Sequence, residues 1–359
     1  MYTHYYSLTL SHSKFILDRE RSPNILHAYP KSSRYSTVDW FHDLTTMPKS
    51  RLLKRVKNVI LVNFIWSIIV YTSYQIIKFQ SPGSRCHSLL GFALGLLLVF
   101  RTTAAYNRYD ESGKLWEKAL NHLRNIGRTI TIFSDVMEVS SVERIMKLLV
   151  AFPLVLQEYV QGYHSPSLLK KYLTRSDMEK ISKHINRPHY ILNTLSMEIR
   201  SLPDVLDVFT EQEKQALQDE LNALSAVVGG CEKIVQTPVP LTYARHTSRF
   251  LSLFCLSMPI ALVGELGAYI VPFMSFVSWA LYGIQEIGLM IEEPFQRTLR
   301  LEIFANTIRR DLSDLVHVSN ISRQPLNITS PGLVYVSPYS TEEMKYETEH
   351  QEGSVLVAV

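Results

Sequence analysis

Nineteen consecutive residues without a charge, Val59–Ile77 (VILVNFIWSIIVYTSYQII), restrict this chain more than any other feature. At about 1.5 Å rise per residue, a helix of that length just crosses a hydrocarbon core of roughly 30 Å. A buried helix of a soluble domain would read similarly, but the flank favours a membrane. Lys49, Arg51, Lys54, Arg55 and Lys57 precede the run with no acid among them. The positive-inside rule keeps such an end on the side of synthesis, in cytoplasm or an equivalent compartment such as stroma.

Further apolar runs follow. Ser88–Phe100 (SLLGFALGLLLVF) is short for a span by itself and reaches adequate length only if the helix continues past Arg101 to about residue 107. A charge at that depth must face protein or water. Phe250–Ile291 holds two charges, Glu265 and Glu286, and Pro272 near its middle predicts a hairpin of two segments, 250–271 and 273–291. Four membrane helices are thus expected, at about 56–79, 88–107, 250–271 and 273–291.

Between them, residues 108–236 regain charges at helical spacing, with Leu115, Ala119, His122 and Ile126 on one stripe. Asp110 to Lys114 reads as a polar break. Amphipathic pieces are expected over Val142–Tyr163, Ser176–Leu202 and Glu211–Gln236, the last opening with acids after Thr210. Another polar helix follows Pro294. No Val/Ile/Thr alternation is long enough for a sheet, so the fold class is all-α. Residues 1–50 form an N-terminal segment and 321–359 a tail, with 51–320 the folded part between. The first 17 residues lack acids, a weak transit-like pattern that Asp18 and Glu20 end. The sequons at Asn320 and Asn327 are expected to be unused.

The chain is 46% hydrophobic and 19% charged, below the roughly 25% charge of soluble domains. That composition argues against a protein that coats nucleic acid, and a net charge of +4 is mild, permitting an anionic partner or membrane surface without demanding one. Cys86, Cys231 and Cys255 lie far apart, which supports neither a disulfide framework nor a zinc site. Nucleotide-binding, metalloprotease and hydrolase motifs are absent, and His122, His184 and His246 stand isolated in the sequence. An enzyme is therefore not expected, nor a cofactor.

Phe92, Leu96 and Phe100 recur at i, i+4 and i+8 and share one helix face, flanked by the small Gly91 and Gly95. Such a stripe usually faces a core or lipid. Around a symmetry axis it would instead stack hydrophobic rings that gate by dewetting, with Phe ring edges toward anions. Pro238 and Pro240 hold Val239 in a rigid extended corner, which read alone is an ordinary linker. Arg245, His246 and Arg249 read as boundary anchors or intersubunit contacts.

Three blocks, LGFALGLLLVFRTTAAYNRYDESGKLW (90–116), TPVPLTYARHTSRFL (237–251) and GIQEIGLMIEEPF (283–295), resemble the bestrophin-type anion channels, most closely the plant and algal voltage-dependent chloride channel branch. The resemblance covers roughly residues 50–318. It implies a homopentamer in a lipid membrane around one central pore conducting chloride or another monovalent anion, with both termini cytoplasmic or stromal and the thylakoid as the expected membrane. It also implies a pore neck at Phe92, Leu96 and Phe100 and a second, cytosolic aperture at Val239. Arg101, Arg108, Glu111, Glu292 and Glu293 are the charged members of the blocks; ion pairs tying the pore helix to the fourth membrane helix are expected of them. The sequence departs from the family at Tyr109-Asp110, where a double aromatic is usual, and at Gln285-Glu286, where paired acids are. The acidic calcium clasp of animal members is here Gln296–Arg300, two bases and no acid, so no metal site is expected. A bicarbonate channel and a non-conducting membrane scaffold remain as alternatives.

Overall fold

The computed structural model describes residues 50–319, apart from 84, 164–168 and 206–207, together with positions 41, 45 and 47. The transit-like pattern of residues 1–17, the two sequons and the tail 321–359 lie outside the described residues. Within them the chain forms α1 (Arg51–Ile77), α2 (Arg85–Ile132), α3 (Val139–Gln161), α4 (Arg175–Lys183), α5 (Arg187–Arg200), α6 (Glu211–Gln236), α7 (Leu241–Leu266), α8 (Ile270–Glu292) and α9 (Leu301–Ser319). No strand occurs among the described residues, only an isolated bridge between Val205 and Phe209.

Three stretches are long and apolar enough to cross a membrane: Arg51–Ile77, His87–Ile132 and Leu241–Glu292. The last is folded on itself. The Tyr282 hydroxyl lies 3.1 Å from Ser252 Oγ, and Gln285 Nε2 donates to Ser248 Oγ at 3.3 Å, so α7 and α8 run antiparallel. The hairpin turns at Gly267–Tyr269, not at Pro272. Gly267 takes φ 53 and ψ −131, a conformation open to a residue without Cβ. Pro272 falls in the first turn of α8, where its missing N–H breaks no helical bond.

A second correction concerns α2. The expected break at Asp110–Lys114 does not exist; α2 runs 48 residues without interruption. Lys114 pairs with Asp110 one turn away at 2.5 Å, and Ser112 Oγ donates to the Arg108 carbonyl at 2.7 Å. Charges there are a solvated helix face. Beyond them Trp116, Ala119, Leu123 and Ile126 are buried against the polar-region helices. Packing is tight enough that a Cβ on Gly230 of α6 would stand 2.6 Å from Leu115 Cδ2.

The region expected as one piece over Ser176–Leu202 is two helices. Asn186 ends the intervening turn by accepting the His189 N–H at 3.2 Å, and Pro188 opens α5. α6 starts where Thr210 predicts, with a capping box in which the Glu213 carboxylate accepts the Thr210 N–H at 2.7 Å. Cys231 is buried in α6, and burial pushes its thiol up to about 12.

Arg144 of α3 staples this layer, donating to both Asp177 oxygens at 2.7 and 2.9 Å and to Glu198 at 2.9 Å. The hydrogen bond from Arg144 leads, ahead of those from Thr174, in drawing the Asp177 carboxyl from the ordinary 3.8 down to about 2. A carboxyl with a lowered pKa stabilises the fold fully above its ordinary value, and that contribution fades as pH falls from about 3.8 toward about 2. Asp177→Asn should lower the melting temperature at neutral pH and flatten its decline across that acid window. Melting curves of parent and variant that keep a constant offset down to pH 2 would remove Asp177 from the acid response.

Candidate functional site

The first half of α2 has two faces of different fate. Leu94 (1% exposed) and Leu98 (2%) are buried with Val56, Leu251, Phe254 and Tyr282 from α1, α7 and α8. On the other side Phe92 (76%), Leu96 (47%) and Phe100 (60%) are exposed, with Thr103 and Asn107 continuing the track toward the polar region. Leu90, one of the residues across the helix from this stripe, is exposed as well. Among the described residues the stripe therefore stays outside the chain's buried core. Gly91 faces Phe254 of α7, where a Cβ would meet its ring at 3.4 Å, while Gly95 borders open space.

Two arginines on the buried side hold α2 to its neighbours. Arg101 is 3% exposed, with Nη2 3.9 Å from Glu292 Oε2 of α8; its Nε and Nη1 have no hydrogen-bond partner among the described residues. Arg108, two turns on, donates from Nε to the Glu292 carbonyl at 3.1 Å, from Nη1 to the Thr237 carbonyl at 2.6 Å and from Nη2 to the Ile234 carbonyl at 2.7 Å. Its cation thus sits on the C-terminal ends of both α6 and α8, where orphan carbonyls and the helix dipoles favour it. Of the expected ion pairs, Arg101–Glu292 is present. Arg108 binds backbone instead of carboxylates. Glu111 meets Lys233 of α6 at 3.4 Å and not α8, and Glu293 is exposed, in no ion pair among the described residues.

Val239 is half-buried in the corner between α6 and α7. Thr237 leaves helical geometry at φ −113 and ψ 71, and Pro240 is extended at ψ 122. Because Arg108 grips the Thr237 carbonyl, it fixes this corner to α2. The link was not legible in the sequence, since backbone acceptors carry no side-chain signature. Arg245, His246 and Arg249 are exposed on the first turns of α7. The pair of Arg55 with Glu286 at 2.6 Å, joining α1 to α8, was also missed, although a basic flank opposite a lone acid in an apolar run was a usable signal. His122 is not isolated in space: Nδ1 lies 2.6 Å from Glu220, which Asn125 also contacts at 3.0 Å, a clasp between α2 and α6. Among the described residues no three His, Cys, Asp or Glu side chains cluster as metal ligands.

The model of the family described as Bacterial/Fungal Bestrophin protein matches residues 31–314. This chain belongs to the bestrophin family. A voltage-dependent anion channel-forming protein of Nostoc sp. is 33% identical over 278 residues, 74% of this bestrophin and 89% of the relative. The chloroplastic voltage-dependent chloride channel 1 of Arabidopsis thaliana is 29% identical over 312 residues, 81% of this chain and 72% of the relative. The crystal structure of a bacterial bestrophin homologue from Klebsiella pneumoniae superposes with a TM-score of 0.66 at 28% identity, covering 71% of this chain and 96% of that one.

Proposed function

We propose that this bestrophin is an anion channel that passes chloride through a pore built by five copies of the chain. The observation that carries the reading is the division of α2: Leu94 and Leu98 pack inward while Phe92, Leu96 and Phe100 face out of the subunit. Lipid alone would accept that stripe. Lipid would not accept its polar continuation through Thr103 and Asn107, whereas a water-filled axis accepts both. In this reading α1, the first half of α2, α7 and α8 are the four crossings, and residues 108–236 form a helical body on the cytosolic or stromal side. The stripe makes the neck and Val239 the second aperture. Arg101 and Arg108 position α2 and contribute positive potential near the passage. The names of the Nostoc and Arabidopsis relatives support the anion, and the Arabidopsis relative supports a chloroplast membrane, with the thylakoid the expected one.

Purified protein in a planar bilayer under a chloride gradient tests this. The current should reverse near the chloride equilibrium potential and stay unchanged when micromolar calcium is added, because Gln296–Arg300 offers no carboxylate. Substituting bicarbonate for chloride ranks the two anions. Reversal near the cation potential, or no current from protein whose native mass is five times the 41.3 kDa chain, would overturn the reading.

A further inference from the structure

The membrane-crossing helices pack through two apolar clusters, one around Val56, Cys255 and Tyr282 and the other around Val70, Leu262, Val263, Ile270 and Met274. Between them lies a polar layer. On α1, Asn63 and Ser67 fall between Val56 and Val70, and both are buried. On α8, buried Ser278 falls between Met274 and Tyr282. On α7, buried Pro259 falls between Cys255 and Leu262. The three positions share one level. Trp66 Nε1 reaches across to the Leu256 carbonyl at 2.8 Å, and the Tyr282 hydroxyl meets Ser252 Oγ at 3.1 Å.

This layer is short of partners. Asn63 spends its Nδ2 on the Val59 carbonyl at 2.9 Å, and among the described residues its Oδ1 and Ser278 Oγ have no partner. Pro259 has no N–H to give the Cys255 carbonyl, the acceptor one helical turn before it. Two acceptors and a hydroxyl, contributed by three helices, are thus buried at one depth inside apolar surroundings. Such groups are costly there unless bonded, and a small molecule with two donors and two acceptors satisfies them.

We propose that this layer is a water-binding site inside the membrane bundle of the single subunit, off the axis of the proposed pore. One or a few water molecules bridge Asn63 Oδ1, Ser278 Oγ and the Cys255 carbonyl, as buried waters do with two to four polar partners. The clusters above and below stay dry. Their buried side chains are hydrocarbon or thioether, apart from the Tyr282 hydroxyl and Cys255 thiol that border the layer.

X-ray hydroxyl-radical footprinting of the full chain in lipid nanodiscs, read by mass spectrometry, tests the site. Radicals form where water resides, so buried Cys255 and Tyr282 should gain oxygen several-fold faster than Met274. Met274 is fully buried like Cys255 and intrinsically reactive, but sits in the dry cluster. Ser278→Ala, and separately Asn63→Leu, should slow labelling of Tyr282 while native mass and melting temperature show an intact assembly. Ser278→Ala removes a single oxygen and serves if Asn63→Leu misfolds. Labelling of Met274 as fast as Cys255, or no labelling of Cys255 and Tyr282, or labelling indifferent to Ser278→Ala, would overturn the proposal.

Discussion

Replacing Phe92, Leu96 and Phe100 together with alanine should raise single-channel conductance or weaken gating while the preference for anions over cations largely persists. All three side chains point away from the chain's own core, at 76%, 47% and 60% exposure, so their truncation removes little of the packing that folds the subunit. In the proposed pore it removes an apolar constriction, which excludes water and ions only while it is narrow and greasy. Selectivity should survive because in this reading it rests on the wider positive field, to which Arg101 and Arg108 contribute. The comparison is the opposite face. Leu94→Ala or Leu98→Ala should each cost about 2–5 kcal/mol, because a buried leucine leaves both its transfer energy and a cavity behind. Leu90 does not belong in that control, since it is exposed. Bilayer recordings and thermal unfolding in detergent separate the two outcomes. A triple variant that assembles and conducts like the parent places the pore elsewhere.

Arg108→Ala should destabilise the chain by roughly 2–4 kcal/mol, since charge-assisted hydrogen bonds contribute more than neutral ones and three carbonyls would lose theirs together. The loss should be local as well as global. With Ile234, Thr237 and Glu292 carbonyls released, the end of α6, the Val239 corner and the end of α8 lose their common anchor on α2. Protease cleavage near residues 234–240 should therefore accelerate before the protein melts, and currents should become unstable. Arg108→Lys should recover only part of the stability, because one ammonium cannot reach three acceptors with the geometry of a planar guanidinium. An unchanged melting temperature for Arg108→Ala would show that the Arg108 bonds to Ile234, Thr237 and Glu292 contribute nothing to stability.

Some of this architecture was legible because it depends on short-range rules. The start of α6 follows from Thr210 and Glu213 alone, three residues apart. The turn before α5 was legible too, in Asn186 followed by Pro188, and was overlooked within a longer amphipathic pattern. The hairpin was expected at the proline and formed at the glycine, because a proline in a first turn continues a helix while Gly267 can take the positive φ that ends one. At Asp110–Lys114 a charge cluster suggested a break; four-residue spacing of opposite charges supports a helix instead.

The sequence by itself determined that the chain is helical, that several of its segments are apolar at membrane length, that Phe92, Leu96 and Phe100 share a face, and which family its three blocks resemble. These follow from composition, periodicity and local capping, which involve residues a few positions apart. Only the tertiary structure decided which face of α2 is buried, that Arg108 holds carbonyls of α6 and α8, that Glu292 and not Glu293 meets Arg101, and that Asn63 and Ser278 are both buried. Periodicity ranks the faces of a helix without naming their partners. The partners come from α1, α6, α7 and α8, one of them 184 residues distant along the chain, and that choice is made by packing over the whole bundle.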